Sequence, residues 1–197
     1  MSNAAAISES LQARVDEAKA LLHQALQLHG DRVALASSFS LEDIVVIDLL
    51  VAVRPDVRVF ALDTGRLPEE TLQCADAVRR RYGLTIEWHF PEREAVEALV
   101  RAKGLHSFRD SLDARHECCR IRKLEPLARA LEGLSAWITG LRREQNVSRS
   151  ELALVETDAM HGGIAKYNPL AAWTAADVQA YVDAKRLPVN PLYYDGY

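Results

Sequence analysis

The chain has 197 residues, of which 49% are hydrophobic and 26% charged, and its formal net charge is −4. This balance is typical of a globular protein and argues against a general nucleic-acid-binding surface, so an anionic ligand would need a local cluster of positive side chains. No apolar run approaches about 18 residues, the first residues lack a signal-peptide pattern, and three cysteines do not make a disulfide framework. We therefore expect a cytoplasmic protein without a membrane span.

Helices, strands and polar loops alternate along the first half of the chain. The predicted elements are, in chain order, a helix over 11–28 that Gly30 ends, a strand over 32–36, a helix over 41–53, a strand over 57–62, a helix that Pro68 opens and that runs to about 82, a strand over 84–89, and a helix from Pro91 to near Gly104. This alternation predicts an α/β fold with a mostly parallel sheet covered by helices on both faces.

The second half continues this pattern more weakly. A fourth strand is predicted over 136–139, a fifth is suggested over 151–156, and a helix to about 185 begins with a capping box formed by Thr174 and Asp177. Turn and extended signals fill 187–197. We find no repeat or linker and predict a single domain over 1–197. Ligands of such sheets bind beyond the carboxyl ends of the strands, so the loops after Ala36 and Leu62 are the first candidate sites.

Two strand-end loops carry candidate binding groups. Ser37, Ser38 and Ser40 place hydroxyls and backbone N–H groups at a strand-to-helix turn, which suits a phosphate or sulfate but equally a plain serine N-cap. In the segment 63–68, Gly65 would let the backbone approach a ligand closely, and the alternative is a tight turn whose aspartate caps the next helix. The residues alone leave both pairs of interpretations open.

Basic residues follow the fourth strand. Arg142, Arg143 and Arg149 could hold phosphate-type oxygens, with Lys123 adding a point charge, although an isolated arginine is most often a solvated surface residue. The run 79–81 falls late in a helix, where cations complement the helix dipole, and we assign it no function.

Cys118 and Cys119 are adjacent and lie among basic residues. Such a pair suits reactive chemistry or an iron–sulfur cluster, which takes four thiolates, while the alternatives are a buried pair or a vicinal disulfide. His116, near the start of a helix, could complete a zinc site with the two thiols, but an obvious fourth ligand is lacking. Cys74 lies mid-helix and is assigned a structural role.

From about Asp31 onwards, this chain closely resembles the assimilatory adenylyl-sulfate and phosphoadenylyl-sulfate reductases. The resemblance is carried by five segments, which occur in the same order as in that family: 37–43, 62–68, 118–123, 139–142 and 166–170. The resemblance implies an adenine-nucleotide α-hydrolase-like fold related to the ATP pyrophosphatases. Those relatives carry a Ser-Gly-Gly-x-Asp-Ser loop, whereas Phe39 and Ser40 occupy the middle of the loop here, which argues against ATP cleavage.

The resemblance also implies a substrate, a cofactor and a reductant. The Cys118–Cys119 pair resembles the one found in the family branch that holds a [4Fe–4S] cluster. That branch reduces adenosine 5′-phosphosulfate to sulfite and AMP with thioredoxin. The alternative functions are reduction of the 3′-phosphorylated substrate and nucleotide binding without catalysis. Substrate-binding residues implied in this way are Ser37, Ser38, Ser40, Leu62, Asp63, Thr64, Gly65, Arg66, Lys123, Thr139, Gly140, Arg142 and Arg149.

In the family, two further cluster cysteines and the nucleophilic cysteine lie in a segment that would follow Tyr197. No cysteine of this chain matches that nucleophile, so we expect this polypeptide alone to bind the nucleotide weakly, to form no complete cluster and to lack reductase activity. The sequence leaves open whether the chain forms homo-oligomers.

Overall fold

A computed structural model describes residues 7–146 and 150–194 of the chain. Its helices and strands are, in chain order, α1 (Glu9–His29), β1 (Val33–Ser37), α2 (Leu41–Val53), β2 (Val59–Leu62), α3 (Glu69–Tyr82), β3 (Ile86–His89), α4 (Arg93–Lys103), α5 (Leu112–Cys119), a π-helical turn (Arg120–Leu124), α6 (Glu125–Leu131), β4 (Ala136–Ile138), β5 (Val155–Asp158), β6 (Ile164–Tyr167) and α7 (Ala175–Lys185). None of the helices in these two ranges is long and apolar enough to cross a membrane.

The six strands form one sheet in the order β3-β2-β1-β4-β6-β5. All neighbouring pairs are parallel except β5 and β6, which are antiparallel. The predicted mostly parallel α/β sheet is therefore confirmed. The strand order reverses at β1, which pairs with β2 on one side and β4 on the other, so the carboxyl ends of β1, β2 and β4 border the place where such sheets bind ligands.

Helices cover both faces of the sheet. Alternate residues of each strand point to opposite faces, so that Val33 and Leu35 of β1 pack with α1, α2, α3 and α7 in the main core. Ala34, Phe60 and Trp137 point to the other face and pack against α6. A third, small cluster joins α4 and α5 beside the sheet, and this cluster includes Cys118.

Local sequence signals explain most helix ends. Ser40 caps α2 by accepting from the Asp43 N–H, and Thr174 and Asp177 form the predicted capping box of α7. Pro68, predicted as the first helical residue of α3, is instead its N-cap, because its backbone is still extended. His116 lies in the last turn of α5 and not near a helix start.

The region around the last two strands departs most from prediction. The fifth strand begins at Val155 and ends at Asp158, later than the suggested 151–156, and β6 over Ile164–Tyr167 was not predicted. Two glycines, Gly162 and Gly163, both with left-handed backbones, turn the chain between these strands. The short strands are stabilised by pairing with each other and with β4, which a local pattern does not reveal.

Candidate functional site

Two adjoining cavities open at the carboxyl ends of the central strands. The sheet cavity, of about 350 Å³, lies over β1, β2 and β4, and the cysteine cavity, of about 320 Å³, lies beside Cys118 and Cys119. Thr64, Leu67 and Lys123 line both cavities. These three residues therefore form the boundary that the two cavities share.

The sheet cavity is mainly apolar and aromatic. Its walls come from the strands and from the helix that covers this face, and they include Ala36, Phe60, Leu62, Trp88, Leu127 and Trp137. Polar groups lie at the carboxyl ends of β1 and β4. Ser37 is the last residue of β1, and Ser38, Thr139 and Gly140 follow the two strands. A cavity of this size and lining suits a planar organic ring with a few polar attachments.

The serine loop, residues 37–40, is held by hydrogen bonds to its own Ser37 side chain and to Asp43 of α2. The carboxylate of Asp43 accepts hydrogen bonds from the backbone N–H of Ser38 at 2.6 Å and from its hydroxyl at 2.8 Å, and the Phe39 N–H donates to the Ser37 hydroxyl at 3.1 Å. Burial raises the pKa of Asp43, and the hydrogen bonds from Ser38 partly oppose that rise. The Ser38 and Phe39 amides are thus already bonded within the loop. Ser40 acts as the N-cap that the sequence allowed.

The segment after β2 is a tight turn joined to the cysteine region. Asp63 accepts from the Gly65 N–H at 2.8 Å, and the left-handed φ of 69° at Gly65 is one that glycine adopts without strain. A Cβ at Gly65 would lie 3.1 Å from Nη1 of Arg122. The guanidinium of Arg66 donates to the Leu105 carbonyl and lies 4.5 Å from the centre of the Phe108 ring. These contacts fix the turn against the chain that leads into α5.

Cys118 and Cys119 end α5 and both thiols are free. Cys118 is buried against Leu99 and Ile121, whereas Cys119 is partly exposed. Both residues line the cysteine cavity. Cys74, by contrast, lies in the main core, where burial raises its pKa to about 11, in agreement with a structural role.

Four cations line the same cavity as the two thiols. Arg66, Arg115, Arg122 and Lys123 line the cysteine cavity, and within the described part of the chain none of them pairs with a carboxylate. The side chain of Arg122 is buried, with 7% exposure, and its Nη1 donates to the Thr64 carbonyl at 2.6 Å. Its buried Nε has no hydrogen-bond partner among the described residues. Uncompensated positive charge in a partly closed cavity favours an anionic occupant.

The loop after β4 is held by polar contacts. Thr139 donates from Oγ1 to the Asn168 side chain at 2.6 Å, and Gly140 packs so tightly on α2 that a Cβ there would lie 2.5 Å from Oδ1 of Asp43. Arg142 is buried and bonds Glu42 from Nε at 2.9 Å and from Nη2 at 2.8 Å. Arg142 lines neither cavity.

The structure brings most of the predicted site residues together. The sheet cavity is lined by Ser37, Ser38, Leu62, Thr64, Lys123, Thr139 and Gly140, and the cysteine cavity by Thr64, Arg66, Cys118, Cys119 and Lys123. Ser40, Asp63, Gly65 and Arg142 line neither, and Arg149 lies outside the described residues. Their binding roles stay predictions.

Sequence reasoning missed several lining residues, among them Arg115, Arg122 and Trp137. Arg122 and Arg115 flank the cysteine pair in sequence, which was an available signal. Trp137 reads only as an apolar strand residue, and nothing local distinguishes it from a core tryptophan.

The zinc alternative gains no support from the structure. In residues 7–146 and 150–194, no group of three histidine, cysteine or carboxylate side chains is arranged to hold a metal ion. His116 is exposed in the last turn of α5.

A family model and the curated relatives of this chain point to the same kind of protein. Residues 32–197 match a family model described as the phosphoadenosine phosphosulfate reductase domain. The chain is 47% identical over 194 residues to an adenosine 5′-phosphosulfate reductase of Burkholderia cepacia, covering 98% of this chain and 77% of that protein. It is 48% identical over 167 residues to an adenosine 5′-phosphosulfate reductase of Allochromatium vinosum, covering 85% of this chain and 65% of that protein.

Solved structures show the same fold. A phosphoadenylyl-sulfate reductase from Candida auris superposes with a TM-score of 0.78 at 24% identity, covering 99% of this chain and 95% of that one. An FMN adenylyltransferase from Candida glabrata, solved with ATP, superposes with a TM-score of 0.67 at 15% identity over 96% of this chain and 61% of that one. The chain therefore shares the fold of these two structures.

Proposed function

The chain belongs to the phosphoadenosine phosphosulfate reductase family, and we propose that it serves the reduction of adenosine 5′-phosphosulfate to sulfite and AMP in sulfate assimilation, with a thioredoxin-type protein as the reductant. The observation that carries this proposal is the junction of the two cavities at Thr64 and Lys123. One cavity suits a nucleoside, and the other offers positive charge beside two thiols. We place the protein in the cytoplasm, where thiols stay reduced.

We propose that the adenosine lies in the sheet cavity and that the phosphosulfate lies at the junction. The sheet cavity provides apolar and aromatic walls for the base, and Lys123 is the cation at its boundary with the cysteine cavity. The phosphosulfate carries its negative charges toward Lys123, Arg122 and Arg115. Fixed positive groups in a water-poor site stabilise charge that is concentrated during reaction.

The reaction starts when a cysteine thiolate attacks the sulfur of the phosphosulfate. The bond from that sulfur to the bridging phosphate oxygen breaks, AMP leaves with the bonding electrons, and the cysteine becomes an S-sulfocysteine. A thioredoxin thiolate then attacks the cysteine sulfur and sulfite leaves with the electron pair; the second thioredoxin thiol resolves the mixed disulfide. We propose that none of the three cysteines of this sequence is the nucleophile, because Cys74 is buried and Cys118 and Cys119 have a different role.

That role is ligation of a [4Fe–4S] cluster. Such a cluster takes four cysteine thiolates, and Cys118 and Cys119 would supply two of them. The surroundings fit an anionic group of this kind, since the same cavity is lined by four cations that have no carboxylate partner among the described residues. When bound, the cluster would tune the electric field at the sulfate end. Arg122 would balance the thiolate charge while it holds the Thr64 carbonyl.

The charge of the sheet cavity supports adenosine 5′-phosphosulfate over its 3′-phosphorylated form. Among the described residues that line this cavity, Lys123 is the only cation, and Asp43 adds a buried carboxyl group. A 3′-phosphate would bring two further negative charges without a cation of its own. A contact from Arg142 or Arg149 to the phosphosulfate stays a prediction, since Arg142 is already paired with Glu42.

The test is equilibrium binding of adenosine 5′-phosphosulfate, AMP and the 3′-phosphorylated nucleotide to the chain. We expect Lys123→Ala to weaken binding of the phosphosulfate about tenfold and binding of adenosine much less, since a charged contact contributes about 1.5–3 kcal/mol. Lys103→Ala is the matched control, because Lys103 is exposed and pairs with Glu117 on the surface. Equal loss in both variants, or preference for the 3′-phosphorylated nucleotide, would contradict the proposal.

A turnover assay addresses the nucleophile separately. We expect this chain, mixed with thioredoxin and adenosine 5′-phosphosulfate, to release no sulfite. Robust release would show that one of its own three cysteines attacks the substrate, and substitution of each cysteine by serine would identify it.

A further inference from the structure

Strand β3 forms an edge of the sheet. It stands at the end of the strand order, and in the described part of the chain only β2 pairs with it. The Asp63 N–H donates to the His89 carbonyl at 3.0 Å on the β2 side. Successive residues of a strand direct their backbone N–H and C=O groups to opposite sides, so the backbone groups of Ile86 and Trp88 point to the other side, where no described strand lies.

An apolar groove runs beside this edge. The edge groove, of about 300 Å³, is lined by Leu72 and Ala75 of α3 and by Ile86, Trp88 and Phe90, and its other lining residues are charged. The side chain of Phe90 is 55% exposed. An unpaired strand edge beside an apolar groove is suited to pairing with a strand of another chain.

Charge does not block this edge. Proteins often prevent edge-to-edge pairing with charged side chains on the edge strand. The one carboxylate of β3 belongs to Glu87, and it accepts from Nε and from Nη2 of Arg58 on β2, each at 2.9 Å. Its charge is therefore already compensated within the sheet.

Antiparallel pairing of β3 with β3 of a second copy is self-complementary when it is centred on Trp88. In this register Trp88 lies opposite Trp88 of the other copy, Ile86 opposite Phe90, and Glu87 opposite His89. These are an aromatic pair, an apolar pair and a carboxylate opposite an imidazole donor, all of which are favourable cross-strand pairs. Because the backbone groups of Trp88 point to the open edge, the central pair can exchange two N–H···O=C hydrogen bonds.

Other two-fold registers bring like charges together. Centring the pair on Glu87 places that carboxylate opposite itself. At the opposite edge of the sheet, a register of β5 centred on Glu156 does the same, and one centred on Thr157 places Glu156 opposite Asp158. Like charges directly opposite each other are destabilising, so the charge pattern favours the β3 edge and the Trp88 register.

We propose that β3 is the contact surface for a second copy of this chain, and that two copies join their sheets by antiparallel pairing of β3 around Trp88. The contact is isologous, so the pair of Glu87 with His89 occurs twice. Trp88 also lines the sheet cavity, so the second copy packs directly behind a wall of that cavity.

Sedimentation equilibrium of the chain over a range of concentrations tests the proposal. We expect a monomer–dimer equilibrium in the wild type and a dissociation constant at least about tenfold higher for His89→Glu, because this variant sets two carboxylates opposite each other at both symmetric positions. Thr157→Glu is the matched control, since it places the same charge on an exposed residue of the other edge strand and should leave the dissociation constant unchanged. A wild type that is monomeric at every concentration, or a dimer that His89→Glu does not weaken, would overturn the proposal.

Hydrogen exchange of the wild-type chain gives a second measurement that does not depend on the stability of a variant. We expect backbone amides in 86–90 to gain protection as the protein concentration rises, with the Trp88 amide gaining an acceptor, and amides in 155–158 to stay unchanged. Protection that rises at 155–158 and not at 86–90 would place the contact at the other edge and would refute the proposed surface.

Discussion

The buried ion pair between Glu42 and Arg142 should be the most sensitive polar contact around the site. The two side chains are only 12% and 8% exposed, and two N–H groups of Arg142 bond one carboxylate oxygen at 2.8 and 2.9 Å. Glu42→Gln removes the negative charge and leaves the guanidinium buried. What remains to Arg142 is a 3.3 Å contact with the half-exposed Glu144 and a 3.4 Å bond to the Trp173 carbonyl.

The magnitude follows from this geometry. Breaking a buried pair by removing one partner costs about 3–5 kcal/mol, because the other charge is left uncompensated. Since Glu144 still offers partial compensation, we expect Glu42→Gln to lower the free energy of unfolding by about 3 kcal/mol. In the double variant Glu42→Gln/Arg142→Met no buried charge remains, so its loss should be smaller than the sum of the two single losses by more than about 1 kcal/mol.

Urea unfolding followed by circular dichroism measures these changes as shifts of the midpoint at constant slope. The control is Glu87→Gln, which breaks the more exposed pair of Glu87 with Arg58 and should cost at most about 1 kcal/mol. The reasoning is refuted if Glu42→Gln costs no more than this control, or if the single losses add. If Arg142→Met abolishes binding of adenosine 5′-phosphosulfate while Glu42→Gln preserves it, Arg142 contacts the substrate directly.

Three further changes test the site and the fold. Gly140→Ala should cost about 1–3 kcal/mol in urea unfolding, because its Cβ would lie 2.5 Å from Oδ1 of Asp43 and 3.0 Å from the Asp43 nitrogen; an unchanged midpoint would contradict this close contact. Burial, aided by the charge of Arg32, lowers the pKa of His29 below its usual value of 6.5. The stability that neutral His29 contributes is therefore present above pH 6.5 and is lost as the pH falls through the folded-state pKa. Between about pH 7 and pH 5, the melting temperature should fall less for His29→Gln than for the wild type. Because burial raises the pKa of Cys74 to about 11, native-state alkylation followed by mass spectrometry should modify the partly exposed Cys119 well before Cys74, and equal rates would show that the core opens readily.

Much of the fold could be predicted because local signals agreed with the tertiary structure. The predicted helix 41–53 matches α2 as Leu41–Val53, since a serine cap and a mostly apolar stretch define it without help from other elements. β6 was missed for the opposite reason. It is four residues long, includes Lys166, and is stabilised by pairing with β4 and β5, so its strand character depends on neighbours that are distant in sequence.

The site was predicted in part. Strand-end loops and the cysteine pair could be located from their sequence, because a parallel sheet collects its loops at one edge. Which arginines keep a free charge could not be predicted. Arg142 pairs with Glu42, whereas Arg122 has no carboxylate partner in the described residues. This difference between the two arginines depends on how α2 and the π-helical turn pack, which the sequence does not reveal.

Phe39 in the serine loop combines an unfavourable backbone conformation with a buried ring. Phe39 adopts a left-handed backbone with φ of 60°, which costs a non-glycine residue about 1–2 kcal/mol. Its ring is 1% exposed and packs 5.8 Å from Trp88, and burial of such a ring contributes about 1.5–3 kcal/mol, enough to offset the strain. The side chain that stabilises this backbone also forms the cavity wall, while Asp43 and Ser37 take up the amides of Ser38 and Phe39. A loop built in this way presents an apolar surface to the sheet cavity, and Lys123 is the only cation among the described residues that line this cavity. Under the proposed function, the negative charge of the nucleotide is therefore met at the Lys123 end.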